Sequence, residues 1–142
     1  MTAGVAHDAE PAAARDAVAG SRADCLAENG VEYLVEAYGC EPSRLTSVSA
    51  LSALFEQVIA GLALRPVGET RWHTFPEPGG VTGFCLLMES HLAVHTFPEH
   101  GSLCLDLFCC RPRDAWDFEG ALRDTVGASD VRVRSLERVY AV

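Results

Sequence analysis

The chain has 142 residues, 49% of them hydrophobic and 22% charged, enough for one globular domain with a buried core but little room for two. Its formal net charge of −9 argues against a nucleic-acid partner, because phosphate binding needs clustered Lys and Arg, and suits a cationic substrate better. No apolar run approaches the length of a membrane span.

Residues 1–24 are rich in Ala, with acidic and basic residues interspersed. They lack the basic start and apolar run of a secretory signal, so a flexible N-terminal tail on a cytoplasmic protein is expected, ahead of one domain over 25–142. Val31 to Tyr38 alternates apolar and polar residues, the pattern of a strand with one buried face. Gly39-Cys40-Glu41-Pro42 ends it. Ser43 or Thr46 is then placed to cap a helix whose apolar positions are Leu51, Leu54, Phe55, Val58, Ile59 and Leu62. A strand is expected over 67–75, and Pro76 to Gly80 forms a loop on composition alone. Val81 to Met88 and Leu92 to Phe97 are compact apolar runs, each of strand length. Pro98 to Gly101 makes a turn into a further strand, Leu103 to Cys109. A second helix follows Asp114, its expected cap, with Trp116, Phe118, Ala121, Leu122 and Val126 as packing residues. Val131 to Tyr140 alternates with weaker contrast, as an edge strand does.

This order predicts an α+β fold, a two-layer sandwich of an antiparallel β-sheet with helices packed on one face. The near-continuous apolar strands imply that the opposite face is not wholly wet, and a homodimer is the simplest cover. The six cysteines (25, 40, 85, 104, 109 and 110) include no CxxC, and several lie in apolar runs. Reduced thiols are expected rather than a disulfide framework.

The stretch from Met88 to Glu99 places a carboxylate, a hydroxyl and two imidazoles between apolar runs. Ser90 and His91 are adjacent and point in opposite directions on a strand, so His91 is poorly placed as a base for Ser90. No Gly-x-Ser-x-Gly elbow is present. His91 and His95, with His100, Cys104, Cys109 and Cys110 nearby, have the atoms of a zinc site but match no common ligand spacing. No metal is expected. On residue types alone the cluster reads as polar groups at a sheet edge.

The ordered series Tyr33-Leu34-Val35-Glu36-Ala37-Tyr38-Gly39-Cys40, Gly80-Val81-Thr82-Gly83, Glu89-Ser90-His91-Leu92-Ala93-Val94-His95-Thr96-Phe97-Pro98-Glu99 and Leu105 to Cys110 resembles the bacterial S-adenosylmethionine decarboxylase proenzyme family. The match runs from about Glu32 to Tyr140. The resemblance implies self-cleavage between Glu89 and Ser90. The Ser90 hydroxyl attacks the preceding carbonyl to give an ester. Elimination then leaves dehydroalanine, and hydrolysis yields a covalent pyruvoyl cofactor. It implies His95 as the processing histidine, with Thr82 where the family usually has an assisting Ser. Cys110, twenty residues after Ser90, matches the family's proton-donating cysteine. Glu99 matches a carboxylate that holds ribose hydroxyls, and Phe75 and Phe97 are candidates to stack on adenine.

The implied activity is decarboxylation of S-adenosylmethionine through a Schiff base to the pyruvoyl group, supplying the aminopropyl donor for spermidine. The chain departs from the family at Phe97, usually Trp, and across residues 99–104, where Tyr-Gly-Tyr-Ala-Ala is common. Both departures lie on the substrate side. They keep open a pyruvoyl-dependent decarboxylase of arginine or ornithine, and an unprocessed, non-catalytic binding homologue.

Overall fold

A computed structural model describes residues 28–88 and 90–141. The expected tail over 1–24, Cys25 and Glu89 lie outside the described residues. The chain order is β1 (Asn29–Tyr38), α1 (Pro42–Leu45), α2 (Val48–Gly61), β2 (Arg71–Thr74), β3 (Val81–Leu87), β4 (Ser90–Phe97), a 3₁₀ turn (Pro98–His100), β5 (Ser102–Cys109), α3 (Phe118–Val126) and β6 (Asp130–Val139). The six strands form one sheet in the order β2-β3-β4-β5-β1-β6, antiparallel throughout. With the helices on one face, this is the expected two-layer α+β sandwich.

Alternation along the strands decides what the helices cover. Tyr33, Val35 and Ala37 of β1, Leu92 and Val94 of β4, and Leu103, Leu105, Leu107 and Cys109 of β5 are buried. They meet Leu51, Leu54, Phe55 and Val58 of α2 and Phe118, Leu122 and Val126 of α3. Burying each large aliphatic or aromatic side chain contributes about 1.5–3 kcal/mol, so these stripes hold the layers together. The intervening residues face the other way. On that open face Phe84 is 42% exposed and Leu86 51% exposed.

Several boundaries differ from expectation. The helix expected after Ser43 or Thr46 is divided into α1 and α2, and Ser47 caps the longer piece by accepting from the Ala50 N–H at 3.2 Å. Thr46 instead donates to the Ser43 carbonyl in the preceding turn. Asp117, not Asp114, caps α3, accepting from the Gly120 N–H at 2.8 Å, so Trp116 precedes the helix. The strand expected over 67–75 is confined to Arg71–Thr74. Gly68, with φ +77°, turns the chain just before it. The fourth strand starts at Ser90 rather than Leu92, which puts Ser90 inside the ladder. β6 is the edge strand expected, and most of its length is exposed.

Candidate active site

The β3–β4 hairpin carries most of the residues singled out above. Thr82 and His95 are direct partners across the ladder, and Thr82 Oγ1 lies 3.0 Å from His95 Nδ1. Both side chains stand on the open face. The next residue, Thr96, points inward and anchors the pair from beneath. Its hydroxyl donates to the Leu45 carbonyl at 2.8 Å and accepts from the Val81 N–H at 2.8 Å. One buried hydroxyl thereby ties β4 to β3 and to α1. The 3₁₀ turn after Phe97 then delivers Glu99, and Gly101 closes it in the left-handed region, at φ 57°.

These elements enclose a cleft of about 300 Å³ lined by Phe75, Pro76, Thr82, His95, Phe97 and Glu99, among others. That volume is at the small end for a ligand pocket. A shallower groove of about 700 Å³, lined partly by Thr46, Thr74, Phe75, Glu77 and Glu99, shares several of the same residues. The cleft has what an aromatic, hydroxyl-bearing ligand needs: two half-exposed phenyl rings, a carboxylate acceptor and an imidazole. Beside the cleft, His73 lies opposite Thr82 on β2, its ring edge-on to Phe75 at 4.6 Å. Only the β2–β3 register reveals it, because nothing in the sequence around His73 marks a site. Cys104 faces His95 across the β4–β5 ladder. Partial burial, then the Glu36 and Asp106 carboxylates, push its thiol up.

Ser90 is elsewhere. It heads β4, paired with Leu87 across the hairpin and with Cys109 on β5. Five residues of extended strand separate it from His95, roughly 16 Å at the usual rise per residue. The odd spacing also puts the two side chains on opposite faces. The structure therefore gathers Thr82, His95, Phe75, Phe97 and Glu99 in one place, but does not bring Ser90 among them.

Around Ser90 the neighbours are two cysteines. Cys109, expected only to pack, is fully buried and is the direct cross-strand partner of Ser90. Burial pushes the Cys109 thiol up, and Arg113 and Ser90 offset this only in part. Cys110 follows the last residue of β5 and is partly buried. The Tyr140 phenol stands over Gly30 beside the Cys109 carbonyl; a Cβ on Gly30 would lie 2.3 Å from that carbonyl oxygen and 2.0 Å from the phenol oxygen. Desolvation, then Cys110, raise the Tyr140 pKa. His91, beside Ser90, is on the open face, its ring between Phe84 and Phe108 at 5.8 Å from each. Among the described residues no three His, Cys, Asp or Glu side chains converge as a metal-binding group.

The fold and its two clusters of polar residues define a small α+β enzyme scaffold. An adenosylmethionine decarboxylase from Aquifex aeolicus VF5 has the same fold, with a TM-score of 0.68 over 82% of this chain and 95% of that one, at 24% identity. Residues 31–139 match the S-adenosylmethionine decarboxylase family model, and the chain belongs to that family of carboxy-lyases. Among its relatives, the S-adenosylmethionine decarboxylase proenzyme of Moorella thermoacetica is 35% identical over 113 residues, covering 77% of this chain and 86% of the relative. The proenzyme of Syntrophomonas wolfei is 34% identical over 112 residues, with the same coverage.

Proposed function

We propose that this chain is a pyruvoyl-dependent S-adenosylmethionine decarboxylase, matured by self-cleavage between Glu89 and Ser90, that supplies decarboxylated S-adenosylmethionine for spermidine synthesis. No helix among the described residues is long and apolar enough to cross a membrane, and we assign the enzyme to the cytoplasm. The observation that carries the reading is the His95–Thr82 hydrogen bond, set in a cleft with Glu99, Phe75 and Phe97. Family membership supplies the reaction class.

The residues around Ser90 fit a pyruvoyl group. Residue 90 heads a strand paired with Leu87 and Cys109, so a pyruvoyl group formed there would be carried at the start of β4 with the Cys109 thiol across the ladder from it. When formed, the group supplies an electron sink for the carbanion left by loss of carbon dioxide. Cys110 returns a proton to the α-carbon, since a thiol can hold and release one. His95 removes a proton during chain cleavage. Its hydrogen bond to Thr82 fixes the ring and gives the hydroxyl a place to steady the developing oxyanion. Glu99 accepts the ribose hydroxyls, and Phe75 and Phe97 offer π-faces to the adenine and to the sulfonium.

Within one chain His95 does not reach Ser90, whose side chain points to the helix-facing side, so for His95 to act there the start of β4 has to leave the ladder. We propose in addition a homodimer formed through the open sheet faces, which covers the exposed Phe84, Leu86 and Phe97.

The test begins with intact mass. The wild-type chain is expected to give two pieces, 1–89 and 90–142, the second starting with a pyruvoyl group, and to release carbon dioxide from carboxyl-labelled S-adenosylmethionine. Release from labelled arginine or ornithine instead overturns the substrate, and a chain that stays intact overturns the cofactor. Ser90→Ala and His95→Ala each block cleavage, whereas Cys110→Ala cleaves but turns over poorly.

A further inference from the structure

We propose that Cys109, backed by the Arg113 guanidinium, is a positioning residue that holds the Ser90 hydroxyl in place for chain cleavage. The inference rests on the self-processing reading above. It adds a residue that this reading leaves out, because the expected proton donor is the neighbouring Cys110.

Three observations support it. Cys109 is the direct cross-strand partner of Ser90, and both side chains point to the helix-facing side of the sheet. The Cys109 thiol is fully buried, and the Ser90 hydroxyl and the Arg113 guanidinium both favour its ionised form against the effect of burial. Arg113 is itself held in place: Nη1 donates to the Leu62 carbonyl at 3.4 Å, and the Arg113 carbonyl accepts from the Tyr33 hydroxyl at 3.4 Å. Its Nε is buried without a hydrogen-bond partner.

The physical consequence concerns rotamers. A serine side chain has three staggered wells, and a hydroxyl at a strand end is otherwise free to use them all. A neighbour that bonds the hydroxyl selects the wells on its own side. Burial keeps the Cys109 thiol protonated at neutral pH, so it orients Ser90 and does not remove its proton. The base is still His95.

Two substitutions distinguish positioning from packing, because the two roles rank them in opposite order. Cys109→Ser keeps a hydrogen-bonding group in a buried apolar place. Cys109→Val adds about a methyl group of volume, suits a buried strand and loses the hydrogen bond. Full-length chains made by cell-free synthesis are followed by intact mass from the moment of release, with the melting temperature of each variant measured alongside. Cys109→Ser is expected to cleave close to the wild-type rate. Cys109→Val is expected to cleave about tenfold slower, the effect of losing one hydrogen bond at the reacting atom, while melting no lower than wild type. A Cys109→Val chain that cleaves as fast as wild type or faster, or a Cys109→Ser chain as slow as Cys109→Val, overturns the role. In either case wild-type cleavage still supports the proposed function. A wild-type chain that never cleaves overturns both.

Discussion

Thr96 shows how much depends on one buried hydroxyl. Its Oγ1 satisfies the Val81 N–H and the Leu45 carbonyl, both buried backbone groups. Removing one partner of a buried hydrogen bond leaves the other desolvated and unpaired, which costs more than an average hydrogen bond contributes. Thr96→Val keeps the shape and strands both groups. It is expected to destabilise the fold by about 2–4 kcal/mol, read as a lower denaturation midpoint with an unchanged slope. Thr96→Ser keeps the hydroxyl and should recover most of the loss. An unchanged midpoint for Thr96→Val would show that the two backbone groups find other partners. The neighbours His95 and Phe97 owe their outward aim to this inward anchor, so the same substitution should also loosen the cleft. At this scale the Thr82–His95 pairing was readable only through the resemblance, since thirteen residues separate the two. The Ser90–Cys109 contact was not readable, because cross-strand pairing depends on a register that residue types do not encode.

At the scale of elements, α3 depends on its first turn. Asp117 accepts from the Gly120 N–H at 2.8 Å, and Gly127, with φ 71°, ends the helix in the left-handed region. Phe118, just after the cap, packs on the Tyr33 ring at 5.4 Å and the Trp116 ring at 4.9 Å. The cap therefore fixes where the helix meets β1. Asp117→Ala is expected to cost about 1 kcal/mol, a fall of a few degrees in melting temperature, with Asp117→Asn restoring most of it. Thermal scans of the three proteins check this, and equal melting temperatures would remove the cap from the account. The strands and both main helices were legible because their apolar periods are strong: 2 in β1, 3.6 in α2. The caps were not. Ser43, Thr46 and Ser47 are all capping residue types within five positions, and only the turn of α1 decides that Ser47 is used. Asp114 and Asp117 posed the same ambiguity. The start of β4 mattered most for the site. Read from Leu92, the strand leaves Ser90 outside the ladder; starting at Ser90, it fixes the extended spacing and puts Ser90 and His95 on opposite faces.

For the whole molecule, the open sheet face is the feature the single chain leaves unfinished. Phe84, Leu86 and Phe97 are exposed on it, and His91 is stacked between Phe84 and Phe108. Arg134 and Arg138 pair with Glu36 and Glu32 beside them, contributing little as exposed pairs but placing both signs of charge on one surface. An exposed apolar patch rimmed by charge is what an interface presents. If a second copy covers this face, a charge at its centre is buried without a partner only in the dimer, and the separate protomer tolerates it. Phe84→Asp is therefore expected to leave the monomer folded and shift the protein from dimer to monomer in sedimentation velocity. A Phe84→Asp chain that stays dimeric would move the interface to another face.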